Sequence, residues 1–155
     1  MTAMYFEDFA VGATFSTAAR TITESDVMSF AGLSGDDNPL HVDREFSKQG
    51  PFGEPIAHGL LVLSVASGLG IQTGIFTGTN LAFLGVEDWR FVGVVKFGDT
   101  IRMESTVLET RPTSKPGRGV VRIGQEIKNQ HDEVVQKGVF VQLMASREIA
   151  VEVTS

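Results

Sequence analysis

Gly59-Leu60-Leu61-Val62-Leu63-Ser64-Val65-Ala66-Ser67-Gly68-Leu69-Gly70-Ile71-Gln72-Thr73 is the stretch that decides the fold. Its apolar residues fall on nearly every side of a 3.6-residue helix, the pattern of a helix wrapped on most sides by protein. The run is broken by Ser64, Ser67, Gly68 and Gly70, and it is too short to span a bilayer, which takes about 20 apolar residues. It therefore reads as a buried core helix. The small residues Ser64, Ala66, Ser67, Gly68 and Gly70 leave room for a neighbouring backbone to come close.

Downstream of this helix the character changes to long β-like segments, 81–91, 100–111, 120–128 and 134–144. Turn signals separate them at Gly98-Asp99, from Pro112 to Gly119, and at Gln130-His131-Asp132. Val121, Ile123 and Ile127 alternate with Arg122, Glu126 and Lys128, so one face of that strand is apolar and the other largely wet, as in an antiparallel sheet. Upstream, a weak period of two over 14–21, with Phe15 and Thr17 against Thr14 and Ser16, predicts a first strand. Thr23-Glu24-Ser25-Asp26 is a capping box with Asp in place of Glu, and Ile22 and Val27 stand at the staple positions. The helix it opens has an apolar face of Val27, Phe30, Ala31 and Leu33, and it ends at Gly32, Ser34 and Gly35. Asp43-Arg44-Glu45-Phe46 predicts one further helical turn. The sum is an α+β domain in which an antiparallel sheet wraps a central long helix.

A chain of 155 residues fits one domain with a core of its own. It has no cysteine, which removes thiolate nucleophiles, disulfides and sulfur-ligated metals, so any chemistry comes from oxygen and nitrogen groups. The net charge of -6 and the absence of a basic run argue against nucleic acid or an anionic membrane as the main partner. The first eight residues carry Glu7 and Asp8 and no basic or apolar leader region, which leads us to expect a cytoplasmic protein.

Polar, chemically capable side chains concentrate in two places, Asp36-Asp37-Asn38-Pro39-Leu40-His41 and Pro55-Ile56-Ala57-His58-Gly59. Pro39 fixes its own φ and drives Asn38 towards extended backbone, so His41 is aimed by a stiffened loop. Asp36 supplies a carboxylate and His41 an imidazole, while Gly59 opens the long helix, where backbone N–H groups lack acceptors. Each has a plainer alternative. Asp36 alone reads as an Asx-turn residue, His58 as a residue that fixes the helix start, and Ser67 as a hydroxyl bonded to the preceding turn. His41 and His58 could ligate zinc with Asp37 or Asp43, but their separation matches no known ligand spacing; we expect no metal.

These residues carry a resemblance. The run from Ser34 to Asp43 with its Asp-x-Asn-Pro-x-His core, then Pro55-Ile56-Ala57-His58-Gly59 and Ser67-Gly68, resembles the MaoC-like dehydratases. The best-known members of that family are (R)-specific enoyl-CoA hydratases. Phe6-Glu7-Asp8-Phe9 and the run from Val95 to Ile101 also fit the family layout, so the resemblance covers nearly the whole chain. It implies the hot-dog fold and reversible hydration of a 2-enoyl-CoA to an (R)-3-hydroxyacyl-CoA. It makes Asp36 and His41 the catalytic pair, Ser67 a supporting hydroxyl and Gly59 the backbone donor to the thioester oxygen, with Asn38, Pro39 and His58 at the substrate. No cofactor is implied, since coenzyme A belongs to the substrate. Arg90, Lys96, Lys115 and Arg118 are candidate partners for its phosphates. A thioesterase and a non-catalytic acyl-CoA-binding subunit are the alternative activities. Because 81–91 and 134–144 carry little of the Lys or Pro that protects a free sheet edge, and because hot-dog protomers join their sheets, we expect a homodimer or a larger assembly of dimers.

Overall fold

The computed structural model describes residues 2–147. After a 3-10 turn at Phe6–Asp8, the elements run β1 (Thr14–Ser16), β2 (Arg20–Thr21), α1 (Glu24–Ser34), α2 (Pro39–Val42), α3 (Arg44–Lys48) and α4 (Gly59–Gln72). The four long strands come next as β3 (Asn80–Phe91), β4 (Thr100–Pro112), β5 (Arg118–Lys128) and β6 (Val134–Ala145). The sheet is antiparallel throughout in the order β1-β4-β5-β6-β3, with β2 also pairing β4. Among the described residues, no helix is long and apolar enough to cross a membrane.

The sheet wraps α4. Leu61, Val62 and Ala66 of the helix pack with Ile101 and Met103 of β4, Ile127 of β5 and Phe140 of β6 in one core. A second core joins Phe9, Ile75 and Phe76 to Val107, Val121, Ile123 and Met144 at the far end of the sheet. This is the hot-dog arrangement that the resemblance implies. The expected alternation in β5 holds, because Val121, Ile123 and Ile127 are wholly buried while Glu126 on the opposite face is exposed.

Four expectations change. The single strand over 14–21 is two short ones, broken between Ser16 and Arg20, where Thr17 spends both its N–H and its Oγ on Met103 of β4. Leu33, assigned to the apolar face of α1, is 86% exposed; Val27 and Ala31 are the buried residues of that helix. α4 is not wrapped on most sides: Leu60, Ser64, Gly68 and Ile71, spaced along one stripe, face outward. Among the described residues nothing lies within 4 Å of where a Cβ on Gly68 would sit, whereas at Gly70 the Met103 side chain packs at 3.0 Å. Finally, β6 lies between β5 and β3, so of the two segments expected at an edge only β3 is there.

Candidate active site

α1 begins as its sequence requires. Thr23 Oγ accepts the Asp26 N–H and the Asp26 carboxylate accepts the Thr23 N–H, the reciprocal bonds of a capping box. The helix ends at Gly35, whose φ of 77° is the left-handed conformation that glycine takes without a Cβ penalty. Asp36 is therefore the second residue beyond the helix, exposed on the connecting loop. Asn38 has φ -50° and ψ 129°, the extended backbone that Pro39 imposes, and its side chain accepts the Leu40 N–H. The chain then forms a short helix, α2, where a stiffened loop was expected: His41 stands on it, its N–H bonded to the Asn38 carbonyl. The buried Ser47 hydroxyl, donating to the Pro39 and Leu40 carbonyls, holds this turn from below.

His41 Nδ1 donates to the carbonyl of Ile56 at 2.7 Å. That bond places a hydrogen on Nδ1, so that whenever the ring is neutral it is Nε2 that carries the lone pair. The segment supplying the carbonyl is itself pinned, because Ala57 N–H bonds Val95 O and Ile56 N–H bonds Leu40 O. His58, only 2% exposed, donates from Nε2 to the backbone carbonyl of Asp36 at 2.8 Å, and its ring stacks on His41 with centroids 3.8 Å apart. His58 occupies the cap position of α4 without capping it through its side chain. The helix start is held instead by Gln136, which donates to Gly59 O while accepting the Trp89 indole N–H. Trp89 thus belongs to the core, stacked on Phe140.

A cavity of about 410 Å3 opens beside this cluster, walled by His41, Ile56, Gly59, Val62, Phe91 and Gln136, among others. The Gly59 N–H is the first of α4, where the helix offers it no acceptor and the macrodipole is positive. One potential donor atom from each of Asp36, His41 and His58 lies within 4.8 Å of the others. A single water, bonded at about 2.6–3.2 Å to each of two groups, bridges such a span. The same three groups are those that would hold a metal. However, two ring planes tilted by only 30° across a 3.8 Å stack do not meet within a zinc–nitrogen bond of about 2.0–2.1 Å. Both imidazoles could ligate one ion only if a ring turned out of the stack.

The fold brings Asp36, His41 and His58 together, places Gly59 with His41 on the adjoining cavity, and sets Asn38 and Pro39 in the turn between Asp36 and His41. Ser67 is elsewhere: two turns along α4 from Gly59, it lines separate cavities with Phe83 and Phe140. Of the four candidate phosphate partners, Lys96 is paired with Glu54 and Arg90 borders a larger cavity, about 720 Å3, on the outer face of the sheet. Lys115 and Arg118 belong to the β4–β5 hairpin. Phe91, Gln136 and the Ile56 carbonyl were missed, because an ordinary strand residue and a backbone oxygen carry no sequence signal for a site.

Residues 8–129 match the family of MaoC-like domains. The chain is 36% identical over 115 residues to the (R)-specific enoyl-CoA hydratase of Rhodospirillum rubrum, covering 72% of this chain and 74% of that protein. It is 39% identical over 102 residues to protein MaoC of Klebsiella aerogenes, of whose length the match spans only 30%. Among solved structures, a monoamine oxidase regulatory protein from Archaeoglobus superposes with a TM-score of 0.87 at 38% identity, covering 94% of this chain and 97% of that one. A double hot-dog protein of Mycobacterium tuberculosis, at 22% identity and a TM-score of 0.81, shares the fold. The chain belongs to the MaoC-like dehydratase family.

Proposed function

We propose that this protein reversibly adds water across the double bond of a 2-enoyl-CoA, giving an (R)-3-hydroxyacyl-CoA. The observation that carries the reading is the juxtaposition of the Asp36 carboxylate and the His41 imidazole, within 4.8 Å, beside a cavity into which the start of α4 opens. A water between the two groups donates one hydrogen to Asp36 and the other to His41 Nε2, leaving its oxygen lone pair directed at the substrate β-carbon. As the C–O bond forms, the β-carbon's share of the double bond moves to Cα and charge passes to the thioester oxygen. The Gly59 N–H receives that charge; removing one such donor in other enzymes costs about 2.7–4 kcal/mol. Asp36 takes the water proton and returns it to Cα, so the net addition is one water and the carboxylate is regenerated. The thioester itself acidifies Cα, and this scheme needs no further cofactor. The R configuration is inferred from the hydratase relative.

We infer further that the protein works as a homodimer joined at β3, a free edge of the sheet. The test of the activity is turnover on a panel of 2-enoyl-CoAs of graded length and branching, monitored both by loss of the conjugated double bond and by release of free CoA. Loss of conjugation with CoA retained is the expected result. Release of free CoA without a 3-hydroxyacyl product would replace the reading with a thioesterase.

A further inference from the structure

We propose that His58 is the positioning residue of the catalytic pair, holding Asp36 by one end of its ring and His41 by the ring's face. The inference rests on the hydratase reading for its kinetic consequence, but not for its geometry. Three contacts converge on this side chain. Nε2–H donates to the Asp36 backbone carbonyl at 2.8 Å, across 22 residues of sequence. The ring face lies on the His41 imidazole, centroids 3.8 Å apart and planes 30° from parallel. Phe30, from α1, closes on the ring at 5.0 Å. His41 is thereby fixed twice, by Ile56 O at Nδ1 and by His58 on its face, so rotation about its χ2 is blocked and Nε2 keeps one direction.

The choice of residue argues for this role over simple core filling. His58 is 2% exposed, and its Nδ1 is buried with no partner among the described residues, an arrangement that costs stability. A phenylalanine would fill the volume without the orphaned nitrogen, and a glutamine would reach the Asp36 carbonyl without the ring. Only a flat ring with an N–H at its far end does both. Its place immediately before Gly59 couples the pair to the start of α4 as well, so one residue sets the spacing between the water-holding groups and the backbone donor.

The two functions separate by substitution. His58→Gln keeps the donor and loses the stack; His58→Phe keeps the stack and loses the donor. Each should lower kcat by about 10–100-fold, by analogy with the loss when a partner that orients a metal-binding imidazole is removed, with KM little changed. A second readout needs no turnover. The chain has three histidines, so nitrogen-15 NMR of the imidazoles resolves His41 directly. In the wild type His41 should show one Nδ1–H tautomer, and in His58→Gln a mixture or exchange-broadened signals. Should a His58 variant melt far below the wild type, Phe30→Leu loosens the same stack from behind and should shift the His41 signals in the same direction. Unchanged His41 signals and unchanged kcat in folded variants would overturn the proposal. A wild type that hydrates no enoyl thioester would overturn the hydratase reading, and the NMR arm would still decide the positioning role.

Discussion

Two ring-to-carbonyl hydrogen bonds, from His41 to Ile56 and from His58 to Asp36, occupy one nitrogen of each histidine in the candidate site, and they set what substitution there should do. His41→Ala removes the imidazole that lines the cavity, and Asp36→Asn replaces the proposed base by an amide of the same shape. Each should cost turnover at least about 10²-fold. The Asp36 carboxylate is exposed and, among the described residues, accepts only the local Asn38 N–H, while the bond from His58 goes to the backbone carbonyl, so the melting temperature of Asp36→Asn should stay near that of wild type. Near-normal hydration by that variant would remove Asp36 from the mechanism. Ser67→Ala should lower activity by less than about tenfold, because Ser67 lines cavities other than the one walled by His41. A loss larger than that of Asp36→Asn would show the roles to be misassigned. Asp36 and His41 were legible in the sequence because their spacing is local: one proline and one capping asparagine determine it. Ser67 has no such local constraint, and its place depends on how α4 lies against the sheet.

Both helices that frame the site are set at their first turn. The backbone N–H of Thr23, then the Thr23 hydroxyl and Arg20, hold the Asp26 carboxyl below its ordinary pKa, outweighing the opposing effect of burial. A carboxyl whose folded-state pKa is lowered contributes stability above its unfolded value of about 3.9, and loses it as pH falls through the folded value. Asp26→Asn should therefore melt below wild type at neutral pH, with the difference shrinking once the pH drops below about 4. A difference constant from pH 7 to pH 3 would count against the linkage. For α4, a Cβ at Gly59 would sit 2.7 Å from two ring carbons of Phe91. Phe91 is 54% exposed and free to swing, so Gly59→Ala should displace the cavity wall. KM should rise more than the melting temperature falls, and adding Phe91→Ala should restore much of the binding. A double variant no better than the single one would locate the damage in the helix itself.

Across the whole molecule, the unpaired face points to a second copy. β3 ends the sheet and leaves Leu81, Phe83, Leu84 and Val86 between 42% and 52% exposed. Beside it the outward stripe of α4 adds Leu60 at 59% and Ile71 at 50%, with Ser64 and Gly68 between them. Exposed apolar side chains along a strand that ends the sheet mark an association surface, and the small residues allow a partner helix to approach closely. We predict a homodimer by sedimentation, reduced to monomer by Leu84→Lys with loss of activity, since Phe91 at the end of β3 walls the same cavity as His41. A wild type that sediments as a fully active monomer would end this proposal.

Features that depend on neighbours along the chain could be read before any fold was known. The capping box of α1, its glycine stop, the Pro39 turn that aims His41 and the burial period of β5 all rest on backbone preferences and side-chain reach within a few residues. The four long strands and the helix-in-sheet arrangement were legible too, because apolar periodicity reports which faces need cover; the split of the first strand into β1 and β2 was not. Other features took shape only once distant segments met. Among these are the strand order that buries β6 and frees β3, and the exposure of one stripe of α4. The 22-residue closure of His58 onto Asp36 and the recruitment of the Ile56 carbonyl and Gln136 are of the same kind. Each depends on which remote surfaces come together, and a residue's type does not state its partner across the fold.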